Sequence, residues 1–358
     1  MEFKVKKIFI FNGDMSRGGG TERITAELAN ALSSHNKFDV TILNSYNEKG
    51  TSFFPLSSGV KMLSLKNTSL IKKIFELRRV LKKNKVDVLI NVDTMLGIFS
   101  LPATILTKTK VIAWEMFNIK NDIGSKHTKF IRSYSLKHCA YYVNQTKGDM
   151  LAFKEQFKIK CPITYIHNYC DENSDYTEYD QNSKTILTAG HFFFTKGYDL
   201  AVEIARHVFK VHPDWTWRFV GDGLNEKKIK EMVKEYGLEN NVIFAGRTKD
   251  IAKEYKNASI YVLSSRTEGF GLVLTEAKSY NLPIVSFDVD FGPREIIEHE
   301  KSGFLVEPFN VEKMASRINE LIENKEKRLE FSKRAKDNLH LFSKEKFVSK
   351  WIEILEKV

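Results

Sequence analysis

The apolar run Ile8-Phe9-Ile10-Phe11 stops at Asn12-Gly13, and it predicts a strand buried on both faces and closed by a turn. The period then changes. From Thr21 to Ser33, Ile24, Leu28 and Leu32 return on one side, which predicts a helix. Further β-rich runs at Val40–Leu43, Val86–Val92, Val111–Trp114 and Tyr141–Val143 alternate with helical patterns over about 69–84, 95–107, 127–138 and 146–157. That alternation is the pattern of parallel α/β architecture. The rhythm fails from Tyr165 to Lys184, a polar, acidic stretch with Asn and Ser clusters. A second set follows, with strands at Thr185–Ala189, Thr216–Val220, Val242–Ala245, Ser259–Leu263 and Ile284–Phe287, and helices from Tyr198, Asn225 and Gly271. The expected fold class is therefore α/β, with two Rossmann-like domains facing across a cleft. Residues 1–168 form the first domain, 169–184 a linker and 185–342 the second domain. Residues 343–358 form a C-terminal helix that is a candidate to pack back on the first domain. Ligands of such open sheets sit outside the carboxyl ends of the strands, which directs attention to the loops there.

Composition narrows the setting. The 358 residues are 42% hydrophobic and 28% charged, which suits a folded globular chain. No apolar run reaches the roughly 18–20 residues needed to cross a bilayer, and the N-terminal run is too short for a secretory signal. Three cysteines without metal-ligand spacing (Cys139, Cys161, Cys170) favour a reducing, cytoplasmic setting. The net charge of +11 is concentrated in part between Ser69 and Lys85. There Leu70, Ile74, Leu77 and Leu81 form an apolar stripe, widened by Ile71, Phe75 and Val80. Lys72, Lys73, Arg78, Arg79, Lys82 and Lys83 fill much of the remainder. This helix suits an anionic membrane surface, or equally a domain helix whose stripe is core and whose cations are solvated. Nucleic acid is not an expected partner, because the aromatic residues are not interleaved with the cations.

The densest chemistry lies in Arg266-Thr267-Glu268-Gly269-Phe270-Gly271-Leu272-Val273-Leu274-Thr275-Glu276-Ala277. A carboxylate precedes a Gly-x-Gly turn, a helix opens, and a second carboxylate follows two turns in. Glycines let a ligand approach the backbone, and a helix N-terminus offers N–H groups and partial positive charge to phosphate. Carboxylates on either side are suited to accept hydrogen bonds from sugar hydroxyls. An earlier loop, Met15 to Arg23, carries Gly18-Gly19-Gly20 between the first strand and helix. It is not G-x-G-x-x-G, and no acidic residue ends the second strand, so a dinucleotide site is disfavoured.

The Glu268-to-Glu276 segment resembles the Glu-x7-Glu motif of family-4 retaining glycosyltransferases of the GT-B type, and the resemblance extends from about Ile8 to the C-terminus. It implies that Glu268 contacts the donor sugar, that Glu276 holds the ribose, and that Gly269, Phe270, Gly271 and Leu272 line the donor. Gly19 and Gly20 would present backbone amides to the donor phosphate. Gly190-His191 stands where relatives carry Gly-Arg, and Lys196-Gly197 where they carry Lys-Gly, so Lys196 would grip the diphosphate. His191 either faces that diphosphate or packs on the neighbouring phenylalanines. Gly223 resembles a residue of the loops around the nucleotide. Arg247 sits near the base or in solvent. Gly292-Pro293-Arg294-Glu295 matches a segment near the donor. Glu115 ends a first-domain strand where relatives carry Glu-His, and is the third catalytic candidate beside Glu268 and Lys196; Met116 replaces the histidine.

The implied activity is retaining transfer of a hexose or N-acetylhexosamine from a nucleotide sugar, with UDP expected, to a cell-surface polysaccharide or lipid-linked acceptor. No cofactor or metal is expected, since Asp288-Val289-Asp290 reads as a strand-end turn. The alternatives are an inactive sugar-nucleotide-binding partner and a GT-B epimerase. Peripheral attachment to the inner face of the membrane follows from the acceptor.

Overall fold

The structure is a computed structural model that describes residues 5–47, 49–120, 127–170 and 179–358. Much of the linker expected at 169–184 lies outside the described residues. The chain divides into two units, Met1–Asn168 with Glu345–Val358, and Tyr169–Lys344. In the first, the order is β1 (Lys6–Asn12), α1 (Gly20–Ser33), β2 (Phe38–Asn44), β3 (Lys61–Ser64), α2 (Leu70–Asn84), β4 (Val88–Val92), α3 (Gly97–Thr104), β5 (Lys110–Trp114), α4 (Thr128–His138), β6 (Tyr141–Asn144), α5 (Lys147–Gln156) and β7 (Ile163–Tyr165). In the second it is β8 (Thr185–Ala189), α6 (Tyr198–Val211), β9 (Thr216–Val220), α7 (Glu226–Glu235), β10 (Val242–Gly246), α8 (Ile251–Lys256), β11 (Ile260–Leu263), α9 (Leu272–Ser279), β12 (Ile284–Phe287), α10 (Gly292–Ile296), β13 (Gly303–Val306), α11 (Val311–Glu323) and α12 (Lys325–Arg334). A last helix, α13 (Lys344–Lys357), packs in the first unit, where Trp351 lies edge-on to Trp114 at 4.8 Å between ring centroids.

Every strand pairing is parallel. The strand orders are β3-β2-β1-β4-β5-β6-β7 and β10-β9-β8-β11-β12-β13. Helices cover both faces of such sheets, so interior strands read as unbroken apolar runs. Ile8, Phe9, Ile10 and Phe11 are accordingly all buried. The strands that the hydrophobic pattern fails to announce, β3, β7 and β13, lie at sheet edges. In β3, Lys61-Met62-Leu63-Ser64 has three exposed residues, so burial imposes little pattern on it.

Each strand order reverses once, between β1 and β4 and between β8 and β11. Right-handed crossovers then place α2 to α5 together on one face of the first sheet. Leu77 and Leu81 of α2 share a core with Ala103 of α3, and Leu101, Leu136 and Phe153 share the next one along.

The basic helix α2 corrects its expected stripe. Leu77 and Leu81 are buried, but Ile71 and Phe75 are 65% and 67% exposed, and Leu70 is exposed as well. Lys73, expected among the solvated cations, is buried instead. Its Nζ donates to Ser45 Oγ at 3.0 Å and lies 4.9 Å from the Phe99 ring centre. Arg78 is also engaged, donating to the carbonyls of Ala103 (3.1 Å) and Ile105 (2.5 Å).

Candidate active site

In the second unit, the sheet reverses between β8 and β11, and the loops following those two strands hold the candidate residues. Reversal points are where open α/β sheets take ligands, in the crevice outside the carboxyl ends of the strands. Gly197 shows how tightly the two loops meet. It has φ +64°, and a Cβ on it would lie 2.0 Å from the Ser264 carbonyl oxygen, so only glycine fits. Arg266 stitches the loops together: its backbone N–H donates to Thr195 O (2.8 Å), and its guanidinium forks onto Asp199 with two 2.7 Å bonds. The same guanidinium lies 3.9 Å from the centre of the Phe194 ring.

This scaffold brings Lys196 and Glu268 together. Lys196 Nζ donates to both carboxylate oxygens of Glu268, at 2.8 and 2.9 Å. Ser265 Oγ adds a third donor at 2.6 Å. Glu268 is only 6% exposed, whereas the lysine side chain keeps 32% of its surface in solvent. The pair is therefore open from the lysine side.

After Glu268, Phe270 turns inward. It is 2% exposed and lies edge-on to Phe342 at 5.5 Å, so its ring belongs to the core. Gly271 in the left-handed region then starts α9. The first-turn N–H groups of a helix have no intrahelical partner, and this end carries partial positive charge. Leu272 is the first residue of α9 and is half-buried, as is Gly269 in the turn before it. Glu276 sits on α9, where Tyr255 Oη donates to its Oε2 at 2.7 Å.

Gly190 and Gly223 serve loop packing. A Cβ on Gly221 would fall 2.0 Å from Gly190 O, and one on Gly223 would fall 2.7 Å from Phe192 N. The close approach holds His191 beside Asp222, with Nδ1 3.3 Å from Oδ1, and tilts its ring onto Phe193 at 5.4 Å. Arg247 is exposed at the end of edge strand β10, apart from the reversal point. Asp288 is taken by Arg294, which donates to its two oxygens at 3.1 and 2.9 Å. Among the described residues, no group of three His, Cys, Asp or Glu is placed to hold a metal.

The first-unit candidates behave differently. Gly19 and Gly20 open α1, but the nearly buried carboxylate of Glu22 folds back beneath them and pairs with Arg17 at 2.7 Å. Glu115, expected as a reacting group, is 1% exposed and engaged on both oxygens. Arg132 donates to it at 3.0 and 3.3 Å and Tyr142 Oη at 2.7 Å, so it anchors the end of β5 instead. Met116 is buried and accepts from Gln145 Nε2 through its sulfur at 2.9 Å. Asp93 and Asp149 are near enough to Glu115 to feel its charge. Burial first, and that charge second, push each of them up to about 7.

Ser265, Arg266, Asp199 and Tyr255 support the second-unit site through contacts that spacing along the chain does not report. Arg266 meets Asp199 across 67 positions, and Tyr255 meets Glu276 across 21. Spacing within one helix or loop does not report such pairs.

A pair of parallel sheets, with glycine loops and charged side chains at the reversal of the second, defines a GT-B fold. Known proteins agree with that class. The model of the glycosyl transferases group 1 family matches residues 171–338. An uncharacterized glycosyltransferase of Haemophilus influenzae is 32% identical over 98% of this chain and all of its own length. The amylovoran biosynthesis glycosyltransferase AmsD of Erwinia amylovora is 27% identical over 98% of this chain and 99% of its own. Among solved structures, a mutant of S. aureus TarM, in complex with fondaparinux, α-GlcNAc-glycerol and UDP, superposes with a TM-score of 0.82. It covers 98% of this chain and 99% of its own, at 18% identity, which shows the shared fold. This chain belongs to the group 1 glycosyl transferase family. It is a glycosyltransferase, and the inactive-partner and epimerase readings are not favoured.

Proposed function

We propose that the enzyme moves a hexose or N-acetylhexosamine from a UDP-sugar to a cell-surface polysaccharide or lipid-linked oligosaccharide, with retention at the anomeric carbon and without a metal ion. The observation that carries this reading is Lys196 held on Glu268 at the reversal of the second sheet, on the loop that leads into α9, the helix that bears Glu276. Lys196 and the α9 amides stabilise the leaving diphosphate, where a metal would otherwise be needed. Glu268 accepts from donor-sugar hydroxyls and Glu276 from the ribose. The UDP bound by TarM and the polysaccharide pathway named for AmsD support the donor and acceptor classes. Nucleotide release should be screened with UDP- and GDP-sugars, lipid-linked acceptors and a chelator. Release from a UDP-sugar that survives chelation is expected; release from GDP-sugars alone, or abolished by the chelator, contradicts the reading.

The acceptor side of the proposal includes an anionic membrane surface. The attachment proposed is peripheral, and no helix among the described residues is long and apolar enough to cross a membrane. The face bearing α2 to α5 supports it. Ile71 and Phe75 of α2 are exposed without a core role, Phe130 of α4 is 68% exposed, and Lys72, Arg79, Lys82, Lys83, Lys129 and Lys137 on the same two helices are exposed too. Apolar side chains ringed by cations suit an interface of acyl chains and anionic headgroups, at about 1 kcal/mol per nearby cation. Changing Lys72, Arg79, Lys82 and Lys83 to glutamate should release the protein from anionic liposomes with its melting temperature little changed. Lys73 and Arg78 are left intact because they hold the fold. Wild-type protein that ignores anionic liposomes at low salt would refute the attachment.

A further inference from the structure

We propose that Tyr255 is a positioning residue for nucleotide recognition, fixing the Glu276 carboxylate so that it discriminates a ribose diol. The inference rests on the ribose reading of Glu276 given above. A glutamate on a helix surface has three side-chain torsions, and a carboxylate that samples many of them recognises a pair of hydroxyls poorly. Glu276 is restrained by the 2.7 Å bond from Tyr255 Oη to Oε2.

The tyrosine is itself packed in place. It is 1% exposed, its ring stacks on Tyr280 at 5.2 Å with an 11° interplanar angle, and Tyr261 lies 5.8 Å away. Tyr280 follows Glu276 by four residues, so the aromatic support and the carboxylate rise from one side of the α9 end. Burial first, and the charge of Glu276 second, push the Tyr255 phenol well above its usual range. Its hydroxyl therefore stays a donor at any working pH. Tyr255 reaches the ligand only through Glu276.

The test compares UDP with 2′,3′-dideoxy-UDP by calorimetry. Wild-type enzyme should bind UDP more tightly, and Tyr255→Phe, which keeps the ring stack, should shrink that preference about three- to tenfold. At saturating donor, kcat should be nearly unchanged. In a Glu276→Ala background, Tyr255→Phe should have no further effect on the preference, as expected for residues acting as a unit. Wild type without a preference would sink the ribose reading itself. A wild-type preference that Tyr255→Phe leaves intact would overturn the positioning role alone. Equal weakening of both ligands, or an additive loss in the Glu276→Ala background, would show that the tyrosine serves only the fold, and would overturn it too.

Discussion

Glu268→Gln is expected to lower kcat by about 10²–10³-fold while leaving UDP binding as tight as in wild type, or tighter. The two effects part because Glu268 does two things. On the proposed reading its carboxylate aligns the sugar during transfer, which a neutral amide does less well. It also holds the Lys196 ammonium from 2.8 and 2.9 Å, cancelling much of the charge that a diphosphate would meet. Removing the negative charge frees the cation for phosphate. Ser265, 2.6 Å away, still has an acceptor in the glutamine carbonyl, so the loop keeps its shape. Single-turnover rates and UDP calorimetry separate the effects. A variant that loses UDP affinity as steeply as it loses rate would contradict this division of roles.

Arg132→Met should destabilise the first unit by about 3–5 kcal/mol, the range for a buried ion pair deprived of one partner. The Arg132 and Glu115 side chains are only 4% and 1% exposed. The guanidinium also donates to the carbonyls of Ile119 and Asn118, each at 3.0 Å. Its removal leaves the Glu115 carboxylate buried, with Asp93 and Asp149 near enough to repel it. Those two aspartates already sit at about 7, raised by burial and by Glu115. A carboxyl raised in the folded state favours folding at low pH and costs stability as pH climbs through that value. Arg132 is among the charges that lower both aspartates, so its loss raises them further, and the Arg132→Met defect should be smaller at pH 5.5 than at pH 8. Urea unfolding followed by the fluorescence of Trp114 and Trp351, both buried in this unit, measures it. A loss below about 1 kcal/mol at pH 8 would show that the pair is dispensable.

The two α/β sets and the Glu268–Glu276 loop are legible in the sequence because each leaves a local trace. Buried parallel strands must be apolar throughout, and a backbone that turns sharply into a helix needs glycine at Gly271. Edge strands such as β3 have no such constraint and leave no pattern. The stripe of α2 is wider in the sequence than in the core, because periodicity does not say how wide the neighbouring element is. With α3 alongside, Leu77 and Leu81, with the partly buried Ile74 and Val80, make the contact, Ile71 and Phe75 are left over, and Lys73 is drawn in toward Ser45. Glu115 ends its strand as expected, yet its role changes because Arg132, 17 residues on, reaches back to it from α4. Phe270 likewise sits in the expected loop, and only the packing of Phe342 shows that its ring faces the core.

The second unit is held to bind a nucleotide through Lys196, the start of α9 and Glu276. Calorimetric titration of UDP into wild type and Glu276→Ala tests that most directly. Binding by wild type is expected, with a loss of about 1.5–3 kcal/mol in the variant, the cost of hydrogen bonds to a charged partner. Equal UDP affinity in the two proteins would contradict it.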